Sequence, residues 1–253
     1  GSTKLMPLID QLRASFDTRH PEASIRALLQ IRAEMTRLPE HPWKAAKLAE
    51  VNDLIVGCAG LWVEATAGEF AAAPGTSLHL TLSALNRSPA AIRLRELRLP
   101  GAGGAAAVVP VDRALSPSEP FQQERDLAVP TDAPYSIPEW LLDAPQAGMY
   151  PVRDASRIGQ PENRAPLNVE FVFSIGGEAE PLIVARPVLH KWTDPVHGER
   201  HRALEITPPA LLQIDEGALL FSDAQPRALR RAQWQPQLAP PALPLPEAPS
   251  RLP

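Results

Sequence analysis

The sequence predicts a mainly β protein with two consecutive β-sandwich domains of the immunoglobulin-like class, preceded by a short helical segment. Apolar residues repeat with a helical period before Leu61 and alternate after it, and the alternating segments are short and separated by turn residues. Proline accounts for 30 of the 253 residues, which disfavours long helices. We expect a helical linker segment (1–60), a first sandwich (61–132), a second sandwich (133–225) and a proline-rich extended tail (226–253).

Residues 4–58 are expected to form two or three helices. His20-Pro21 and His41-Pro42 each place a proline where a helix can begin. We expect the last helix to end near Gly60 and to pack on the first sandwich. Its apolar stripe consists of Leu48, Val51, Ile55 and Cys58. The cysteine on this stripe is expected to be a buried, inert thiol.

The first β region consists of alternating segments, of which "LWVEATA" and "SLHLTLSALNRS" are the clearest. Ile92 and Leu94 are out of phase with Leu97 and Leu99, so we expect a β-bulge near Glu96. "GAGGAAAVVP" is expected to be a loose connection, because it lacks the lysine and the strand–helix context of a phosphate-binding loop. "FQQERDLAVP" is expected to be one more strand.

The second β region follows a proline-rich crossing segment, "APYSIPEWLL". "LNVEFVFSI" alternates strictly, Gly176-Gly177 has hairpin-turn chemistry, and "EPLIVARPVLHKW" returns. "RHRALEITPPALLQI" and "GALLFSD" complete the predicted strands. Short strands at this spacing are typical of a sandwich.

Composition excludes several classes of function. The net charge is −4, and no basic stripe with interleaved aromatic residues occurs, so we expect no nucleic-acid partner. No apolar run approaches the length that spans a bilayer, so we expect no membrane span. The chain also lacks the Gly-x-Ser-x-Gly motif of a nucleophile elbow.

The stretch "LHKWTDPVHGERH" (189–201) holds three of the six histidines. Pro195 and Gly198 exclude a helix there, and we predict a strand–turn–strand corner whose histidines are not ligands. The alternative is a stand-alone metal-dependent hydrolase that uses His190, His197 and His201, since a turn can bring such side chains together.

Large aromatic residues are candidate sugar-stacking platforms. We take Trp140, Tyr150 and Trp192 as candidate ligand-binding residues; the structural alternative for them, as for Trp62, is core or inter-domain packing. The tail sequence "APPALPLPEAP" is either a linker or a segment that docks on a partner, which leaves a structural protein-interaction module as another alternative.

Four phrases follow one another between Leu48 and Phe221: "LIVGCAGLWVEATAGEFAAAPGTSLHLTLSALNRSP", "APYSIPEWLLDAPQAGMYPV", "GQPENRAPLNVEFVFSIGG" and "RPVLHKWTDPVHGERHRALEITPP". In this succession they resemble the region that follows the catalytic domain in bacterial PIG-L/LmbE-type deacetylases, which act on N-acetylglucosaminyl substrates. The resemblance implies a non-catalytic accessory region that supports the catalytic domain or binds glycan or the cell surface.

The same resemblance implies that zinc belongs to the parent catalytic domain and that this chain holds no cofactor. The family binds zinc through an Ala-His-Pro-Asp-Asp motif, whereas the two His-Pro pairs here occur as "RHPEAS" and "EHPWKA". We therefore expect no catalytic residue in this chain and a catalytic deacetylase domain as its partner in cis or in trans, with a glycan as a further ligand. The positions of His190 and His201 are usually aromatic in the family, which favours packing over metal ligation.

Gly1-Ser2 is typical of a cloning remnant and favours a fragment of a longer deacetylase over a stand-alone relative. The single cysteine excludes an internal disulfide. A single cysteine is compatible with a reducing compartment and with an exported protein, and we favour a periplasmic or extracellular location.

Overall fold

The computed structural model describes residues 4–101, 104–152, 154, 158, 164–176, 180–214 and 232–236. The helices are α1 (Leu5–Ser15), α2 (Ile25–Thr36) and α3 (Pro42–Cys58), and short 3-10 turns cover Pro21–Ser24 and Glu139–Leu141. The first strands are β1 (Leu61–Ala67), β2 (Ala71–Ala72), β3 (Ser77–Asn86), β4 (Ile92–Pro100), β5 (Ala106–Leu115) and β6 (Phe121–Ala128). The later strands are β7 (Asn168–Ile175), β8 (Leu182–Asp194), β9 (Gly198–Ala203), β10 (Glu205–Ile206), β11 (Ala210–Ile214) and β12 (Ala232–Pro236).

The predicted helices are confirmed, and local chemistry explains where they begin and end. Pro42 is the first residue of α3, and the Nδ1 atom of His41 accepts a hydrogen bond of 3.2 Å from the backbone N–H of Trp43. Pro21 opens the 3-10 turn that leads into α2. Gly60 has a φ of 56°, a left-handed conformation that ends the helical segment before β1.

The helical segment packs on the strands and is not a free linker. Val51 and Ile55 of the predicted apolar stripe are buried, while Leu48 and Cys58 are partly buried against the same core. Burial raises the pKa of the Cys58 thiol, as is usual for an unreactive cysteine. Arg32 of α2 donates a hydrogen bond of 2.8 Å to the carbonyl oxygen of Pro181, which ties the helices to the start of β8.

Most of the strands form one eight-stranded sheet. Its order is β5-β4-β7-β8-β1-β3-β6, and β9 pairs with β8 beside this path. All of these neighbours are antiparallel except β1 and β8, which run parallel. β8 joins the two parts of the path, because its first half pairs with β7 and its second half pairs with β1 and β9. The mainly β class and the N-terminal helices are as predicted.

The strand pairing crosses the boundary predicted between two consecutive β-sandwiches. β4, from the predicted first sandwich, pairs with β7 from the second, and β1 pairs with β8. The hydrogen-bonded path therefore crosses the expected boundary between residues 132 and 133. The physical reason is that an alternating pattern determines which face of a strand is buried but not which strand becomes its neighbour. Apolar residues from both predicted regions, and from α2 and α3, belong to one hydrophobic cluster.

Two local predictions in β4 and β5 had different outcomes. The bulge is confirmed, because the register of β4 against both neighbours shifts between Leu94 and Glu96. The prediction that "GAGGAAAVVP" is wholly a loose connection is wrong, since Ala106–Pro110 belong to β5 and pair with β4. Pairing with an existing strand overrides the weak intrinsic preference of an alanine-rich segment.

Part of the predicted tail is a strand, as β12 pairs antiparallel with β11. Residues 215–231 and 237–253 lie outside the described residues, and with them the predicted strand "GALLFSD" and the segment "APPALPLPEAP". Gly177, the second glycine of the predicted hairpin turn, also lies outside them. Among the described helices, none combines the length and apolar character needed to cross a lipid bilayer.

Candidate functional site

The histidine-rich stretch forms a hairpin, as predicted. β8 ends at Asp194, a turn covers residues 195–197, and β9 begins at Gly198, which has a φ of 78°. One carboxylate oxygen of Asp194 accepts hydrogen bonds of 2.7 Å from the N–H of His197 and 2.8 Å from the N–H of Val196. These bonds, and a contact of 3.0 Å with Nδ1 of His197, lower the pKa of Asp194.

The hairpin has two faces with different chemistry. Residues directly opposite each other in an antiparallel pair point to the same face, and consecutive residues point to opposite faces. His190 is opposite Arg202, and Trp192 is opposite Arg200, so these four share one face. Lys191 is opposite His201 on the other face.

The face with Lys191 is an ion-pair network. The Nζ atom of Lys191 lies 3.0 Å from Oε1 of Glu64 on β1 and 2.9 Å from Oε1 of Glu199 on β9. The hydrogen bond with Glu199 is the largest cause of the raised pKa of Lys191, and the bond with Glu64 adds to it. This lysine therefore connects three strands and has its charge neutralised by protein carboxylates.

The opposite face carries an aromatic cluster, which we call the aromatic platform and define as Phe70, His190, Trp192 and Arg202. The His190 and Trp192 rings are stacked, with centroids 5.8 Å apart and an interplanar angle of 18°. The Phe70 ring meets His190 edge-on at 6.2 Å, and the guanidinium of Arg202 lies 5.0 Å from the Phe70 centroid. Trp192 is 41% exposed and Phe70 is 48% exposed.

The aromatic platform lies on the same side of the sheet as the hydrophobic core, next to the residues where the core ends. In the parallel pairing of β1 with β8, buried Ala65 is beside buried Val188, and buried Ala67 is beside half-buried His190. Nδ1 of His190 is 3.3 Å from the carbonyl oxygen of Ala67, so this nitrogen carries the proton and donates. The contact orients the imidazole on which Trp192 stacks.

The three histidines do not fit a common zinc site. His190 and His201 point to opposite faces of the hairpin, and His197 is held at the turn by Asp194. A catalytic zinc needs three protein ligands that converge on one point. Within the described part of the chain, no group of three or more histidine, cysteine, aspartate or glutamate side chains is arranged to hold a metal ion.

The three candidate ligand-binding aromatic residues lie in two different regions of the structure. Trp140 is 56% exposed in the 3-10 turn that starts at Glu139, and Tyr150 is 58% exposed in the crossing segment. In the described residues neither ring stacks on Trp192, whose ring partner is His190. Trp62 is exposed on β1.

Sequence reasoning did not find Phe70 or the role of Arg202. The hairpin pairing would have found Arg202, because a turn at 195–197 places it opposite His190. Phe70 precedes β2 and reaches the platform through β10, since the N–H of Glu205 donates a hydrogen bond of 3.0 Å to the Phe70 carbonyl. A local sequence pattern cannot reveal a contact between residues that are so far apart in the sequence.

The crossing segment between β6 and β7 exposes an unusual amount of apolar surface. It is tied to β10 at Ser136, whose N–H donates to the Ile206 carbonyl at 2.8 Å and whose Oγ accepts from the Ile206 N–H at 2.9 Å. Its exposed large apolar residues are Tyr135, Ile137, Trp140, Leu141, Leu142, Met149, Tyr150, Val152 and Ile158. Many exposed large apolar side chains in one segment suit a surface that contacts a partner.

Comparison with known proteins gives no family assignment. No family model matches the chain, and no curated protein sequence matches it. Among solved structures, the sporulation control protein Spo0M of Bacillus subtilis aligns at 10% identity over 58% of this chain and 49% of its own, with a TM-score of 0.28.

A second structure, the DNA-bound alkylpurine DNA glycosylase AlkC of Pseudomonas fluorescens, aligns at 9% identity over 70% of this chain and 49% of its own, with a TM-score of 0.25. The matched part of this chain thus corresponds to about half the length of each of these proteins. TM-scores this low do not establish a shared fold.

Proposed function

We propose that this chain is a non-catalytic accessory region that binds glycan through the aromatic platform. The observation that carries the proposal is the exposed Trp192 ring stacked on His190 beside exposed Phe70. Aromatic rings with one apolar face in solvent suit the flat C–H face of a pyranose and bury it at low entropic cost. Bracing of Trp192 by His190, and of Phe70 by Arg202, orders the rings before a ligand arrives.

We also propose that the parent protein is a zinc-dependent N-acetyl sugar deacetylase of the PIG-L/LmbE type. Support comes from the succession of phrases quoted above and from a candidate sugar-binding surface on the same chain. In this proposal, zinc and all catalytic residues belong to the parent's catalytic domain. The accessory region is proposed to retain the substrate near that domain.

The architecture proposed with this function is an immunoglobulin-like sandwich formed by the two parts of the sheet that β8 joins. It is supported by the single hydrophobic cluster that includes β1 and β3 from one part and β4 and β7 from the other. Such sandwiches present ligand-binding residues at the ends of their strands. The aromatic platform lies in that position, where β8 and β9 extend beyond the core.

Calorimetric titration of the chain with an N-acetylglucosamine oligosaccharide tests the binding proposal. Trp192→Ala is expected to weaken binding by about tenfold or more, because loss of one stacked ring costs about 1–3 kcal/mol by analogy with base stacking. Trp43→Ala is the matched control: Trp43 is an exposed tryptophan on α3 that is not one of the platform residues, and its removal is expected to leave binding unchanged. Equal weakening by both variants, or unchanged binding by Trp192→Ala, would contradict the proposal.

The proposal that this chain is not itself catalytic is tested separately. With added zinc, we expect no deacetylation of N-acetylglucosamine derivatives by this chain. Turnover that persists through repeated purification and disappears in a variant with both His197→Ala and His201→Ala would support the alternative, a metal-dependent hydrolase.

A second function, docking of a partner protein domain, is favoured by the exposed apolar crossing segment. We propose that this segment contacts the catalytic domain. Trp140→Ser combined with Leu141→Ser is expected to abolish co-purification with a separately expressed deacetylase domain. Val196→Ser, which removes an exposed apolar side chain at the hairpin turn, is the control and should have no effect. Retained co-purification of the double variant would exclude this segment as the contact.

A further inference from the structure

We infer that the glycan bound by the aromatic platform is acidic, and that Arg200 binds its carboxylate while Trp192 stacks on the sugar ring. This inference rests on the proposed glycan-binding function and adds the chemical class of the ligand. It comes from the distribution of paired and unpaired charges on the two faces of the hairpin.

Arg200 is the available cation beside the exposed tryptophan. It lies directly opposite Trp192 in the pairing of β8 with β9, so the two side chains share a face. Arg200 is exposed, and in the described part of the chain its guanidinium makes no ion pair or hydrogen bond. By contrast, Lys191 on the opposite face contacts two glutamates.

Two carboxylates on or beside the hairpin face that carries the platform are already engaged. Glu205 forms an ion pair with Arg202. Asp194 accepts hydrogen bonds from the turn residues Val196 and His197. Neither carboxylate is paired with Arg200, which leaves the arginine able to bind an anion supplied by a ligand. A guanidinium presents two parallel N–H donors, which match the two oxygens of a carboxylate.

A nucleic acid also combines flat rings with negative charge, but the surface chemistry favours an acidic sugar. Binding of single-stranded nucleic acid depends on a positively charged groove that follows several phosphates. This chain carries a net charge of −4, and among the described residues of the platform face Arg202 is paired with Glu205 while Arg200 is unpaired. One unpaired cation directly opposite the exposed Trp192 ring fits a single uronic acid residue.

Calorimetry with trigalacturonate and its fully methyl-esterified form provides the test, because esterification removes the charge and keeps the sugar ring. We expect trigalacturonate to bind about two- to fivefold more tightly than the ester, the size of effect of one exposed ion pair. Arg200→Gln should remove this preference while the ester still binds. Arg26→Gln, which removes a charge from an exposed position on α2, should leave the preference intact. Trp192→Ala should weaken binding of both ligands.

The outcomes separate this inference from the function on which it rests. Equal affinity for acid and ester, or a preference that survives Arg200→Gln, overturns the acidic-ligand inference while binding at Trp192 stands. Tighter binding of a sulfated trisaccharide or of a short oligothymidylate than of trigalacturonate also overturns it. Failure of the wild-type chain to bind trigalacturonate and its ester while it binds the N-acetylglucosamine oligosaccharide also overturns the acidic-ligand inference. Failure to bind all three ligands, or binding indifferent to Trp192→Ala, overturns the glycan-binding proposal itself.

Discussion

Asn86, at the end of β3, is expected to be among the most important polar residues for stability, because it is fully buried and satisfies several backbone groups. Its Nδ2 atom donates hydrogen bonds of 2.9 Å to the carbonyl of Ala90 and 3.1 Å to the carbonyl of Leu115. Its Oδ1 atom accepts from the backbone N–H of Ser88 at 3.0 Å and from the Ser88 hydroxyl at 3.2 Å. One amide thus connects β3, the loop that precedes β4, and β5.

We predict that Asn86→Leu lowers the free energy of unfolding by about 3–4 kcal/mol. Leucine keeps the branched arrangement of four side-chain heavy atoms, so most of the cost comes from the two carbonyl groups, one N–H and one hydroxyl that lose their partners, at about 1 kcal/mol each. A protein of this size loses about 2–4 °C of melting temperature per kcal/mol, so the expected fall is roughly 6–16 °C. Thermal unfolding followed by circular dichroism, together with urea titration, measures both quantities.

Asn168→Leu is the matched control for this substitution. Asn168 is exposed at the start of β7, and its side chain donates one hydrogen bond of 3.1 Å to the Ala165 carbonyl. Its replacement should change the free energy of unfolding by about 0.5 kcal/mol or less. A fall of less than about 2 °C for Asn86→Leu, or equal falls for the two variants, would contradict the stabilising role assigned to these buried hydrogen bonds.

Three further predictions concern α3 and the hairpin. Val51→Asp should unfold or aggregate the chain, because an unpaired charge in the core costs several kcal/mol; a soluble variant with an unchanged melting temperature would contradict this. Lys191→Met should cost about 0.5–1 kcal/mol at neutral pH, measured by urea titration, because Glu64 and Glu199 lose their shared cation. The folded-state pKa of Lys191 is raised, so its contribution to the free energy of unfolding is present below the unfolded pKa of about 10.4 and is lost as pH rises through the folded pKa. If the wild-type chain remained more stable than Lys191→Met above the folded pKa, the ion pairs would not be the source of the difference. The pKa of Asp194 is lowered, so its contribution to stability is present above about pH 3.9 and is lost as pH falls through the folded-state pKa. In a series of melting temperatures measured at different pH values, Asp194→Ala should remove the loss of stability that this residue causes at acid pH.

Much of the local structure was predictable because it depends on residues close in sequence. Proline at the start of α3, Gly60 at the end of the helical segment, and the change of phase around Glu96 are local signals, and the structure has the expected feature at each. The turn after Asp194 was predictable for the same reason, since its hydrogen bonds join neighbouring residues. Alternation also identified the buried faces of β3 and β7.

The candidate ligand-binding residues were predictable only as a set of exposed aromatic side chains. Trp192 lies in a platform, whereas Trp140 and Tyr150 are exposed in the crossing segment and their proposed role in binding stays a prediction. The sequence identifies each aromatic residue but does not show which side chains surround it in the folded protein. The contact of Phe70 with His190 depends on the pairing of β2 with β10 and of β1 with β8.

The positions and buried faces of α3, β1, β3 and β7 could be predicted from the sequence, because they follow from the 3.6- and 2-residue periods of the backbone, whereas β12 and the first half of β5 were not predicted. Tertiary structure alone decided that β4 joins β7 across the expected domain boundary, and that β8 lies parallel to β1. The physical reason is that any strand with one apolar face can bury it against many partners. The choice among them depends on the packing of the whole core.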